Sequence, residues 1–484
     1  MRRRRQKIDD PLVQALIEAL DSKRVTDGAS ARRLYSRDGS VMEGGRAGVV
    51  CFPETTLEVA ECVALANKFE REFVTRGAGT GLAGGSVPCN DPIVIVTTRM
   101  NKILEVNFEK KIAWVQPGVV NLDLSSFLKG TGLHFAPDPS SQQACTIGGN
   151  VANNSGGPHC LAYGVTNTHV AAVEVVLPDA SIVELGSTEG EMCGYDLRGV
   201  FVGGEGTLGV ATKIAVRLTA DPPTVATLLL DFSKITEAAQ TVSEIIADGI
   251  LPAALELMDR NVVAAVEPFA NAGYPLDAEA VLIAEVDGLP DGVNKEIERI
   301  TQISKNNGAR EVRIATELEE RERIWKGRKS AFGAIAKIKP DYYLHDTVIP
   351  RARLAEVIKK VYEVAEKYEL LVMNVFHAGD GNLHPLLVFD SRIEGTLERV
   401  RKAGEEIVNI SLEAGGVLSG EHGIGLEKQK FMTMQFSERD LEAQDALRRA
   451  FDPDNRSNPH KVLPSGASCG ELNSLNEIPE GVWI

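Results

Sequence analysis

A chain of 484 residues is too long for one hydrophobic core and should divide into at least two domains. Its 43% hydrophobic and 25% charged residues are those of an ordinary folded protein, and a net charge of −16 argues against nucleic acid or an anionic membrane as the main partner. No apolar run approaches the roughly 20 residues that span a bilayer, and the opening MRRRR has no apolar stretch or cleavage site behind it, so no secretory signal is expected.

The first 45 residues hold a helical stretch, PLVQALIEALDSKRV, and a polar joint. From residue 46 to 221 the chain alternates short apolar strands with glycine clusters. VVCFP, FVTRG, PIVIVTT, KILEVNF and IAWVQPG read as strands, and AAVEVVLPDASIVEL as a hairpin turning at Pro178–Asp179. One helix beginning near Pro53 places Val59, Val63, Ala66 and Phe69 at helical spacing. Residues 222–415 read as β-α-β-β, a second helix and the strand REVRIAT, followed by a charged helix holding Trp325. A second round follows: YYLHDTVIP, a helix over 351–369, the strand pair LLVMNVF and HPLLVFD, and a helix over 393–414. Residues 416–464 form a turn-rich C-terminal segment, and 465–484 a tail.

The chemistry concentrates in two turns. HAGDGNLH places His377 and His384 seven apart between two strands, so a tight loop brings both imidazoles to one end of a hairpin. GVLSGEHGIG supplies Glu421 and His422 from a second glycine-rich turn. Two imidazoles and a carboxylate, with positions left open, form a first shell for a catalytic divalent metal. Zinc is the expected ion, with manganese or iron as alternatives. His422, beside Glu421, is the natural general base. Asn382 orients a ligand or merely shapes the turn.

Four segments of one domain expose backbone through small residues: RGAGTGLAGG (Arg76 to Gly85), VQPGV around Pro117, PDPSSQQACTIGGNVANNSGGPHC (Pro137 to Cys160) and FVGGEGTLGV (Phe201 to Val210). Successive glycines let amide groups converge on an anion. No Walker lysine is present and no helix follows the first loop, so neither a P-loop nor an ordinary Rossmann turn fits. Four such segments suggest a long ligand with a pyrophosphate and a flat ring system.

With RGAGTGLAGG, ACTIGGNVANNSGG, GGEGTLGV, HAGDGNLH and GEHGIG in order, the chain resembles the vanillyl-alcohol-oxidase/PCMH-type flavoproteins from about Val49 to Pro464. Within them it is most similar to the D-2-hydroxyacid dehydrogenase group, which holds the glycolate oxidase flavin subunit, flavin D-lactate dehydrogenases and D-2-hydroxyglutarate dehydrogenase. The resemblance implies an α+β fold: a two-subdomain FAD-binding domain, a ferredoxin-like cap and a C-terminal segment returning to the flavin. It implies that Arg76, Gly77, Gly79, Thr80, Gly81, Leu82, Gly84 and Gly85 wrap the FAD pyrophosphate. Pro139, Ser140, Ser141, Gly148, Gly149, Asn153 and Gly157 would line the flavin and ribityl path, with Pro117 a further cofactor-binding residue. Glu205, Gly206, Leu208 and Val210 would hold the adenine end, with Asn458 returning from the C-terminal motif. No histidine lies between Arg76 and Gly85, which implies non-covalent FAD. Where the family commonly has NPGK, this chain has Asn458–Pro459–His460–Lys461, which puts a glycine-dependent turn in question.

Together these imply oxidation of a short 2-hydroxyacid, glycolate or D-lactate, by hydride transfer to the flavin. Arg328 is the candidate clamp for the substrate carboxylate, against the alternative of a solvated helix face. Phe332 and Leu386 should keep the pocket small and apolar. Alternatives are a hydroxyglutarate-type dehydrogenase, a metal-dependent hydrolase, and a non-catalytic electron-transfer subunit. Seven scattered cysteines without a CxxC pair suggest reduced thiols in the cytoplasm and exclude a four-cysteine iron–sulfur cluster. Electrons are therefore expected to leave for an iron–sulfur subunit, an electron-transfer flavoprotein, or a quinone or cytochrome, with the chain reaching the inner membrane face only through such a partner. A homodimer stays open.

Overall fold

The structure is a computed structural model describing residues 10–42, 45–190 and 194–464. The expected tail, Cys193 and Cys469 lie outside the described residues. The first lobe is a four-stranded sheet of β1 (Val25–Thr26), β2 (Val49–Cys51), β3 (Phe73–Arg76) and β4 (Ile93–Val96), in the order β1-β2-β4-β3. Both β2 and β3 run parallel to β4. Parallel strands need a crossover; the helix Thr56–Lys68 carries the chain from β2 to β3, on either side of β4. Its start is fixed by the Thr55 side chain accepting from Glu58 N, so Pro53 falls just before the cap. Val59, Cys62, Val63 and Ala66 are buried between the sheet and the helix Pro11–Leu20, while Phe69 is the half-buried C-cap.

The second lobe is antiparallel. β5 (Ile103–Asn107), β6 (Ile112–Val115), β8 (Val170–Val176), β9 (Ile182–Gly186) and β10 (Val210–Arg217) lie in the order β5-β6-β10-β8-β9. The hairpin turns at Pro178–Asp179 as its sequence predicts. A short β7 (Leu133–His134) pairs with β11 (Thr219–Ala220) near the exit to the next domain.

The cap is built twice. β12 (Thr224–Phe232), β13 (Ala254–Asp259), β14 (Ala280–Gly288) and β15 (Ala309–Ala315) lie in the order β15-β12-β14-β13, with the helices Ile235–Ala247 and Pro290–Asn306 as crossovers. This is the ferredoxin-like arrangement. In the second unit β16 (Asp341–Leu344), β18 (Leu371–His377) and β20 (Pro385–Phe389) lie in the order β16-β20-β18, and β17 (Thr347–Val348) pairs with β19 (Asn382–Leu383). The two units join edge to edge: β13 pairs antiparallel with β18, in a register that sets Glu256 directly opposite His377.

Four amphipathic helices cover one face of the joined sheet. Val242, Ile300, Val361 and Ile407, one from each, are buried in a single cluster, each burial contributing about 1.5–3 kcal/mol. The other face holds Met258, Val262, Trp325 and Leu386. Two helices there went unread in the sequence or were misjudged. Arg260–Ala270 lies between β13 and β14, its pattern broken by Pro268 in the last turn. The charged helix Leu318–Lys329 is not simply a solvated face, because Ile324, Trp325, Gly327 and Arg328 are buried. The C-terminal segment returns to the first lobe, where Leu426 N donates to Ala83 O and Asn458 N to Phe73 O. It also contains an unforeseen helix, Glu438–Phe451, opened by a reciprocal Ser437–Asp440 capping box.

Candidate active site

A cavity of about 380 Å³ runs between the two lobes and ends against the cap. One wall is the loop after β3. Residues Ala78 to Leu82 line the cavity, and their amides donate to no backbone carbonyl among the described residues, which leaves them available as donors. Gly79 has φ +73°, a conformation that favours glycine, and a Cβ there would also displace the Arg76 guanidinium. Opposite stands the helix Ile147–Asn153, capped by Thr146 Oγ1 accepting from Gly149 N. Free amides and small side chains along one elongated cavity fit an FAD with its pyrophosphate.

At the cap end, His377 closes β18 and His384 precedes β20. Their rings lie 5.1 Å apart. His377 Nε2 and His384 Nε2 each sit 3.2 Å from Glu421 Oε1, and one donor atom from each of the three residues falls within 4.8 Å of the others. The outer nitrogens are held as well: His377 Nδ1 by Glu256 Oε1 at 2.7 Å, and His384 Nδ1 by the His345 carbonyl at 3.3 Å. Such outer partners fix ring orientation and leave both Nε2 atoms facing one point. This donor set fits a zinc-type divalent ion. Glu256 and Glu421 hold His377 protonated against its burial, raising it to about 10. Glu421 is held well below the usual carboxylate range, burial opposing and the two imidazoles prevailing. Metal entry requires the neutral imidazole, so an ion would displace that proton.

His422 stacks on His384, ring centroids 5.1 Å apart and planes 4° from parallel. Burial pushes its imidazole down to about 4, so it stands neutral and able to accept a proton. The first domain reaches this turn directly. Asn153 Nδ2 donates to His422 O at 2.6 Å, and Gly156 N to Glu421 Oε2 at 3.1 Å. Glu205, a buried carboxylate raised by desolvation to about 7, accepts from Ile424 N at 2.6 Å and Gly425 N at 2.8 Å.

Most of the expected cofactor-binding residues line this one cavity: Gly77, Gly79, Thr80, Gly81, Leu82, Gly85, Pro117, Pro139, Ser140, Ser141, Gly148, Gly149, Asn153, Glu205 and Gly206, together with His384, Glu421, His422 and Phe332. Others stand behind it. The Arg76 guanidinium lies over the Tyr35 ring and donates to Ser86 Oγ. Gly84 packs on Leu426 and Met42, and Gly157 against Asp138. Asn458 braces the wall, its Nδ2 donating to Gly85 O and Glu205 O. Leu208 and Val210 are buried in the lobe cores, since apolar side chains beside a glycine turn find packing before ligand. Leu386 likewise belongs to the cap core rather than the cavity wall. Tyr342, unremarked in the sequence, lines the cavity beside Phe332, the rings 6.5 Å apart.

Arg328 is placed differently from a free clamp. Its guanidinium is 1% exposed and pairs with Glu256 Oε2 at 2.7 Å, behind His377. Asn382 packs against Gly420, so it shapes the second turn. His460 adopts φ +66°, the left-handed conformation its glycine counterpart would take freely, and its ring meets Asn90 Nδ2 at 3.0 Å. Glu256 and Asp346 were missed, although each is a lone acid within an apolar, strand-like run.

A model described as the C-terminal domain of FAD linked oxidases matches residues 221–462, and one described as an FAD binding domain matches 47–186. The chain belongs to the FAD-linked oxidases, binds FAD and is an oxidoreductase. It is 42% identical to "Glycolate oxidase subunit GlcD" of Escherichia coli (strain K12) over 442 residues, 91% of this chain and 89% of that one. It is 38% identical to the GlcD subunit of Bacillus subtilis (strain 168), covering 94% and 97%, and 31% identical to a D-lactate dehydrogenase of Anaerostipes hadrus, covering 91% and 94%. Substrate-bound p-cresol methylhydroxylase shares the fold at TM-score 0.79 and 16% identity, covering 93% of this chain and 96% of that one.

Proposed function

We propose that this protein oxidises a short 2-hydroxyacid, glycolate or D-lactate, to the 2-oxoacid, using non-covalent FAD and a divalent ion, and passes the electrons to an external acceptor. The observation that carries the reading is the convergence of His384, Glu421 and His422 on the cavity lined by Gly77 to Gly85. The names of the GlcD and D-lactate dehydrogenase relatives support it. When bound, the flavin would accept the hydride from C2, and the ion at His377, His384 and Glu421 would lower the pKa of the substrate hydroxyl.

The chain's own residues do the rest. His422 takes the hydroxyl proton, its neutral ring held in place by stacking on His384. Glu256 fixes His377, and against its burial His377 and Arg328 together hold its carboxyl below the usual carboxylate range. Phe332 and Tyr342 bound the cavity. No lysine or arginine is among its described lining residues, so a second, distal carboxylate would be buried without a cationic partner. That favours a monocarboxylic substrate over 2-hydroxyglutarate.

Among the described residues no cysteine cluster for iron–sulfur binding occurs, and no helix is long and apolar enough to cross a membrane. The acceptor in this reading is an iron–sulfur subunit, an electron-transfer flavoprotein, or a quinone or cytochrome. Stopped-flow bleaching of the bound flavin by a panel of short D- and L-2-hydroxyacids, with and without chelator, tests the reading. Rapid, chelator-sensitive bleaching by glycolate or D-lactate is expected. Preference for 2-hydroxyglutarate, or indifference to chelator, would overturn it.

A further inference from the structure

The amides of the turn carrying Glu421 and His422 converge on one buried carboxylate from another element. Asp346, fully buried between β16 and β17, accepts from three consecutive amides: Gly420 N at 3.1 Å, Glu421 N at 3.2 Å and His422 N at 3.0 Å. It also accepts from Ser419 Oγ at 2.6 Å and from the buried Lys428 Nζ at 3.0 Å. Ser419 Oγ in turn accepts from Gly423 N at 2.9 Å, so the whole of 419–423 closes around this carboxylate.

Three amides in succession pointing inward at one anion make a nest, here filled by the protein's own carboxylate rather than a ligand. Such a nest fixes the direction in which the side chains of Glu421 and His422 leave the backbone. Asp346 also stands within reach of His384 Nδ1, at 4.0 Å, and it forms with His384 and His422 a second geometrically allowed metal set. Its lone pairs are already committed to five donors, one of them an ammonium.

We propose that Asp346 is a positioning residue. It does not ligate the ion but presets the Glu421–His422 turn against the His377–His384 hairpin, so that the metal site and the base exist before any ion or substrate arrives. The metal arm of this inference rests on the function proposed above; the anchor itself does not.

The experiment uses the full flavin-loaded chain, stripped of metal by chelator, as wild type, Asp346→Asn and Ser419→Ala. Amide hydrogen exchange is followed over 419–423, zinc affinity by calorimetry, and flavin occupancy by absorbance. In Asp346→Asn the amides of 420–422 should exchange about tenfold faster or more, zinc affinity should fall roughly 10- to 100-fold, and the flavin should remain bound. Ser419→Ala, which spares every candidate ligand, should show the same changes more weakly and keeps the test alive should the aspartate variant not fold. Unchanged exchange with lost zinc affinity would make Asp346 a ligand and overturn the proposal, as would faster exchange with unchanged affinity. Wild type that binds no zinc would refute the metal reading, while the exchange measurement would still decide the anchor.

Discussion

The proposed flavin cradle and the proposed metal-and-base centre share one cavity but are built on opposite plans. The cradle is mostly backbone: amides, glycines and small side chains delivered by a few continuous loops, each a local motif. The centre is side chains drawn from β13, β18, the turn before β20 and the C-terminal segment, with Glu256 121 residues from its partner His377. The cradle should therefore tolerate point changes that the centre does not, because removing one side chain leaves a row of amides intact but takes away a ligand.

The hardest test of that contrast is His377→Ala or His384→Ala. Either should leave yellow, FAD-loaded protein while lowering flavin reduction by substrate about a thousandfold or more, an effect comparable to losing a main catalytic group. Stopped-flow absorbance checks both halves at once, and flavin loss would mean that the two regions are one unit. Next in size, His422→Asn should keep metal and flavin yet slow reduction by roughly two to four orders of magnitude. A loss of only a few-fold would mark the imidazole as packing. Glu256→Gln should weaken zinc binding by about 10- to 100-fold, and it should lower thermal stability because the Arg328 guanidinium is left buried without its counter-charge. Calorimetry and melting curves separate these effects.

A gentler probe concerns the seam between the first domain and the cap. His159 bridges Asp138 at 2.9 Å and Glu285 at 3.1 Å and packs on Trp325. Burial opposes its charge, but the two carboxylates raise it well above its ordinary value. A raised folded pKa means the imidazole contributes its full stability below the unfolded value of about 6.5 and loses it as pH climbs through the folded one. The melting-temperature gap between wild type and His159→Asn should therefore be widest at mildly acid pH and narrow toward alkaline pH. A gap independent of pH would reduce the bridge to packing. Smallest of all, His460→Gly relieves a left-handed conformation worth about 1–2 kcal/mol while giving up the contacts with Asn90 and Glu72, so stability should change little or rise slightly. A clear drop in melting temperature would show that the histidine, not the turn, matters there.

How much of this was legible follows the same division. The order of the glycine loops, the Pro178–Asp179 hairpin and the meeting of His377 with His384 are local, set by turn chemistry and strand alternation within a few residues, and the sequence by itself determined them. The helix Arg260–Ala270 was not legible, because Pro268 disguises its last turn. The role expected of Leu386 failed because alternation along β20 turns that side chain into the cap core, a fact that depends on which face the helices cover. Only the tertiary structure set Glu256 opposite His377, by joining two cap units edge to edge in one register. It alone turned Arg328 inward and brought Asp346 beneath the Glu421–His422 turn. A lone acid in an apolar strand reads as an oddity until its partner arrives from elsewhere in the chain. A buried charge can persist only where the fold supplies that partner, and no local pattern encodes where it comes from.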